Sequence, residues 1–110
     1  TIDEQKAKDY QNRPDFIQQY IFPGGMLPTK KQFEYSAKHV GLKCIEKLSF
    51  GGSYAKTLKM WNKQFQNSWT DVSKFGFDIK FKRMWEFYFS YCETGFSNNS
   101  TDVSHFLIQK

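Results

Sequence analysis

The side chains able to make or break bonds in this 110-residue chain are few and scattered. His39 and His105 stand alone, with no serine, cysteine or carboxylate at relay spacing, so each reads as a surface or packing histidine. Cys44 and Cys92 are the only two cysteines and fit no zinc or redox spacing. They read as reduced, buried thiols of a cytoplasmic protein. Gly24-Gly25 and Gly51-Gly52 lack the G-x-G-x-x-G frame of a nucleotide loop. No complete enzyme site is visible, and the chain alone is expected to be inactive. Aromatic rings are what it has in quantity: 19% of residues, twelve of them Phe, too many for a disordered segment. Rings of this size fill cores and line apolar pockets.

Charge is as uneven as chemistry. Residues 29–64 hold eight lysines against Glu34 and Glu46, a local net of +6, whereas residues 65–110 balance five basic and five acidic groups. A basic middle would be drawn to phosphate backbones or lipid head groups, and is equally compatible with a plain solvated face. No apolar run approaches the ~18 residues of a membrane span, and no signal-peptide pattern is present.

The elements that must position these groups can be read from period and punctuation. "RPDFIQQYIF" (13–22) opens like a helix, with Pro14 in its first turn, and Pro23-Gly24-Gly25 stops it. The continuation "YIFPGGMLP" places Phe22, Met26 and Leu27 on irregular backbone. A second helix is expected over 28–41, with Thr29 as N-cap and Gly41 as its stop, then a half-buried strand over 42–50. Gly51-Gly52-Ser53 is expected to cap a third helix, about 53–70. Tyr54, Leu58, Trp61, Phe65 and Trp69 share an arc of ~80° there, with Lys56, Lys59 and Lys63 opposite. A fourth helix, about 77–96, is apolar over roughly 200° and so needs cover on two sides. "DVSHFLIQK" (102–110) carries apolar groups on both faces and is expected to be an inner strand.

A strand, a long helical excursion and a second strand fit the far end of an open α/β sheet, with the two helices inserted between its last strands. The opening "TIDE" reads like the end of a strand, and the chain begins at Thr1 without methionine. Residues 1–110 are therefore expected to be the C-terminal piece of a longer single domain.

"DFIQQYIFPGGMLP", "FGGSYAKTLKMWNKQF" and "GFDIKFKRMWEFYFSYCETGF", in that order, resemble the C-terminal portion of the cyclopropane-fatty-acyl-phospholipid synthase family, whose relatives include the mycolic-acid cyclopropane synthases. The resemblance runs over nearly the whole chain. It implies the last strands of a class I, Rossmann-like S-adenosylmethionine-dependent methyltransferase fold. It further implies methyl transfer to the cis double bond of a phospholipid acyl chain, with ring closure assisted by bicarbonate. Such chemistry needs a dry, aromatic-walled tunnel around a cationic intermediate.

By the same resemblance Tyr54 matches the tyrosine whose hydroxyl helps hold bicarbonate. Phe22, Leu27, Leu58, Tyr88, Cys92 and Phe96 match residues lining the acyl pocket. Tyr88, Cys92 and Phe96, spaced i, i+4, i+8, share one helix face. Cys92 has no activating neighbour and reads as wall rather than nucleophile. The S-adenosylmethionine site and the rest of the bicarbonate site are expected upstream. The partners implied are membrane phospholipid acyl chains, with peripheral contact at the inner membrane face through Lys56, Lys59 and Lys63, no nucleic acid, and homo-oligomerisation left open. Two other readings are a same-family methyltransferase of an amine or small metabolite, and a stand-alone basic module binding lipid or nucleic acid.

Overall fold

The computed structural model describes residues 1–110 as a mixed α/β chain, 50 Å long and 28 × 26 Å in cross-section. Its elements are α1 (Glu4–Asn12), a π-helical turn (Ile17–Ile21), α2 (Lys30–His39), β1 (Lys43–Ser49), α3 (Gly51–Asn67), α4 (Trp69–Ser73), α5 (Ile79–Ser97) and β2 (Ser104–Gln109). Eight of 110 residues are buried, so the core is thin and many large apolar groups face outward.

The two amphipathic helices form the body. α3 and α5 pack against each other through Leu58, which is 1% exposed, and through Phe65 against Phe89, whose ring centroids lie 5.8 Å apart. α5 is covered on a second side, as its wide apolar sector requires, by the π turn: Phe16 meets Phe87 at 4.6 Å. The lysines of α3 are exposed.

β1 and β2 pair antiparallel, from Lys43 opposite Gln109 to Ser49 opposite Ser104, with a bulge at Lys47 between Glu46 and Leu48. β2 has β1 as its one partner in this chain, so the expected inner strand has a single neighbour here. Leu107 and Ile108 point to opposite faces of it and both are exposed.

Several sequence expectations are corrected. The extended contact expected of "TIDE" is limited to a single bridge from Ile2 to Thr101, after which Asp3 caps α1 by accepting from the Gln5 amide. The helix expected over 13–22 shrinks to one π turn. Asp15 and Gln18 start it with reciprocal side-chain-to-amide bonds, each 2.9 Å. The Phe22 amide closes it on the Ile17 carbonyl at 2.8 Å. It stops there because Pro23 lacks an N–H and forces its predecessor out of helical geometry: Phe22 sits at φ −128°, ψ 75°. The third helix starts at Gly51 rather than 53 and breaks at Ser68, leaving α4 as a separate turn.

The cap of α3 also comes from elsewhere than expected. None of Gly51, Gly52 or Ser53 caps it; Asp102 Oδ1 accepts from the Gly51 amide at 2.9 Å. A Cβ at position 51 would lie 2.6 Å from that oxygen, so glycine is what lets the carboxylate approach. Asp102 also accepts from the Val103 amide and the Ser49 hydroxyl, and pairs with Lys30 at 2.7 Å. Lys30 in turn pairs with Glu46 at 2.7 Å. One carboxylate thus ties β1, β2, α2 and the start of α3 together. Partial burial would raise Asp102, yet the Lys30, Ser49 and Gly51 donors hold it at about 2. At α2 the expected Thr29 cap is present as a full capping box with Gln32.

Candidate functional site

Tyr54 lies in the first turn of α3, one turn below the Asp102 cap. Its ring is held edge-on from two sides, by Phe96 at 4.9 Å and 81° and by Trp61 at 5.8 Å and 84°. Two such contacts fix a ring plane better than burial alone, because edge-to-face pairs have a preferred geometry. The phenol is therefore aimed rather than loose.

The i, i+4, i+8 set on α5 is brought to the same region. Phe96 contacts Tyr54 directly. Tyr88 meets Phe22 edge-on, 6.3 Å apart at 82°. Burial pushes the Tyr88 phenol to about 12, with further contributions from the neighbouring Cys92 thiol and from Tyr54. Burial likewise lifts the Cys92 thiol to about 11, despite the Tyr88 hydroxyl working the other way. A thiol so placed stays protonated near neutrality and is inert as a nucleophile. Phe22, Tyr88, Cys92, Phe96 and Tyr54 make one run of wall, in which Tyr88 and Cys92 stay protonated at pH 7.

Two residues of the set lie apart. Leu58 is in the contact between α3 and α5, beneath Tyr54. Leu27 follows the Pro-Gly-Gly turn and is 38% exposed; its amide donates to the Tyr10 hydroxyl at 3.2 Å.

What carries Phe22 to the wall is a set of groups that the sequence reading passed over. The Tyr91 hydroxyl donates to Asp15 Oδ2 at 3.0 Å, tying the start of the π turn to α5. Gln18 Nε2 donates to the Gly25 carbonyl at 3.0 Å, tying the turn to the loop beyond it. Burial first, and then the bond to Asp15, push Tyr91 to about 12, so this clasp stays protonated under ordinary conditions. Its only sequence signal is the D-x-x-Q pattern at Asp15 and Gln18. The two histidines take packing roles: His105 is edge-on to Phe50 at 4.9 Å and His39 stacks on Tyr35.

The wall offers hydrocarbon and π surface, the hydroxyls of Tyr54 and Tyr88, and no carboxylate, amine or guanidinium of its own. The family model for mycolic acid cyclopropane synthetases matches residues 1–106. This chain belongs to that family. Among its relatives, a tuberculostearic acid methyltransferase of Mycobacterium tuberculosis is 40% identical over 89 residues, covering 80% of this chain and 21% of the relative. The cyclopropane-fatty-acyl-phospholipid synthase of Escherichia coli is 31% identical over 86 residues, covering 77% and 22%. A cyclopropane mycolic acid synthase of Mycobacterium tuberculosis is 30% identical over 98 residues, covering 86% and 31%. The chain thus spans about a fifth of the length of the first two relatives.

Proposed function

We propose that this cyclopropane synthetase family chain is the C-terminal part of a Rossmann-like, S-adenosylmethionine-dependent methyltransferase acting on the cis double bond of phospholipid acyl chains. It contributes the acyl-pocket wall and the tyrosine that holds bicarbonate. The observation that carries the reading is the aromatic run from Phe22 through Tyr88 and Phe96 to Tyr54, in a chain of this family.

Each residue then has a physical task. The rings of Phe22, Tyr88 and Phe96 strip water from the acyl chain and face any positive charge on it with π density. Cys92, protonated, fills the wall between Tyr88 and Phe96 without competing for a methyl group. Tyr54 offers its hydroxyl to an acceptor at the reacting end, and the edge-on rings of Phe96 and Trp61 keep it there. Its fixed phenol fits bicarbonate as one donor of several. No loop of this chain has the glycine pattern that would cradle the cofactor, so the cofactor's site is assigned to residues outside it. When bound, S-adenosylmethionine supplies the methyl group.

A second reading keeps the substrate and changes the product. The 40% identical relative is a methyltransferase of tuberculostearic acid by name, which favours methyl transfer without ring closure. One experiment separates the outcomes: express the intact protein in a bacterium free of cyclopropane lipids and analyse its fatty acids by mass spectrometry. Methylene-bridged chains are expected. Methylene-branched chains, isomeric with the ring product but still carrying a double bond that ozone cleaves, select the second reading. Neither product, with the protein well expressed, overturns both in favour of an amine or metabolite substrate.

A further inference from the structure

The aromatic wall uses one end and one face of the α3–α5 pair. Its other end is a turn of unusual make-up: Lys74-Phe75-Gly76-Phe77-Asp78-Ile79-Lys80. Phe75 is 83% exposed, Ile79 58% and Phe77 45%. Gly76, at φ +91°, bends the backbone so that the apolar groups stand at the apex. Phe77 stacks on Phe81, 4.3 Å away, which props it outward along the helix start. Asp78 is committed to capping α5 through the Phe81 amide.

The apex is also cationic. Residues 69–83, the apex and its flanks, contain four basic and two acidic groups, a net of +2. Near the apex, Lys80 and Arg83 make no ion pair, Lys74 pairs with Asp71, and Lys82 pairs with Glu86 at 3.6 Å while lying over the Trp69 ring at 5.6 Å. Apolar side chains at an apex with a cationic collar match a bilayer with anionic head groups: rings enter the acyl boundary while lysines meet phosphates.

We propose that the α4–α5 turn is a membrane-docking tip that inserts Phe75, Phe77 and Ile79 into an anionic lipid surface. The choice of partner rests on the lipid-methylation reading above; the surface itself does not. Other occupants fit less well. α3 carries the apex about 25 Å from the Asp102 junction, taking 1.5 Å per residue. Thr1 lies at that junction, its amine donating to the Asp102 carbonyl, so the N-terminal segment of this chain is at the far end. A second copy seated on the tip would set the same cationic collar against itself.

The test uses the intact protein and sedimentation with vesicles of phosphatidylglycerol and phosphatidylcholine in equal parts, with pure phosphatidylcholine alongside. Phe75→Ser/Ile79→Ser should lower partition to the anionic vesicles at least ~10-fold while leaving Tm and oligomeric state unchanged. Lys80→Glu/Arg83→Glu should weaken anionic binding and leave the small pure-phosphatidylcholine fraction unchanged. Wild-type partition by the serine variant overturns the proposal. So does a large fall in its Tm, or a shift in its oligomeric state, since the tip is then covered by protein. Methylation assays keep the two claims apart. The serine variant should match wild type on detergent-dispersed phospholipid and fall only on vesicles. If wild type methylates neither form, the functional reading fails while sedimentation still decides the docking.

Discussion

Removing the Asp102 carboxylate tests how the wall is held. In Asp102→Ala the Gly51 amide loses its acceptor, Lys30 keeps only Glu46, and the Ser49 hydroxyl loses its bond. Loss of a helix cap costs about 1 kcal/mol. The ionised carboxylate can be gauged separately: its fall from the ordinary 3.8 to about 2, at about 1.4 kcal/mol per unit, gives roughly 2 kcal/mol before screening. With its side chain 24% exposed, solvent trims that to about 1–2 kcal/mol. These figures overlap, since the cap bond is one cause of the depression. The expected loss for alanine is about 2–3 kcal/mol, and about half that for Asp102→Asn, which can still accept from Gly51. The sign with pH follows from the depressed group. Its contribution is complete above about pH 4 and disappears as pH falls through 2, so the gap between wild type and alanine should close over that interval. Urea unfolding of the intact protein, with hydrogen exchange at the amides of 51–55 as a local reporter, measures both. Equal midpoints and equal exchange, or a gap indifferent to acid, would refute this account of Asp102.

Three other outcomes follow from the site. Tyr54→Phe in the intact enzyme should depress kcat while S-adenosylmethionine affinity, read by calorimetry, stays nearly unchanged; undiminished turnover would remove the hydroxyl from the mechanism. Leu58→Ala should cost about 3–4 kcal/mol in denaturant unfolding, because the side chain is buried between two long helices; a loss below 1 kcal/mol would mean the helices close over the gap. Cys92, with its thiol near 11, should react with iodoacetamide at pH 8 at least ~10-fold more slowly than a free cysteine, and rapid alkylation mapped by mass spectrometry would show that the wall is open.

What the sequence made legible has a physical pattern. α3 and α5 could be read because their apolar residues recur over four or five turns, and a stripe that long survives any tertiary context. Thr29 could be read because its capping partner Gln32 is three residues away. α1 was missed because its helix presents little stripe: Ala7 is its one buried residue, and only the Asp3 cap and Glu4 advertise it. The π turn was overestimated for the opposite reason, since "DFIQQYIF" has helical spacing and the force that ends it is Pro23. The cap of α3 lies 51 residues from the amide it serves, and no local pattern discloses that. The site divides the same way. Spacing puts Tyr88, Cys92 and Phe96 on one face, but the placing of Phe22 opposite Tyr88 depends on the Asp15–Tyr91 clasp across 76 residues.

The π turn closes on a carbonyl five residues back, one more than an α-helix uses. Removing a residue such as Gln19 would let the turn relax to α geometry and swing everything after it by about 100° before Pro23 intervenes. Phe22 would then leave Tyr88 without any change in its own identity. The width of this wall is thus encoded in chain length as well as in side-chain type. A single-codon deletion there would reshape the wall in a way that no substitution at position 22 reproduces.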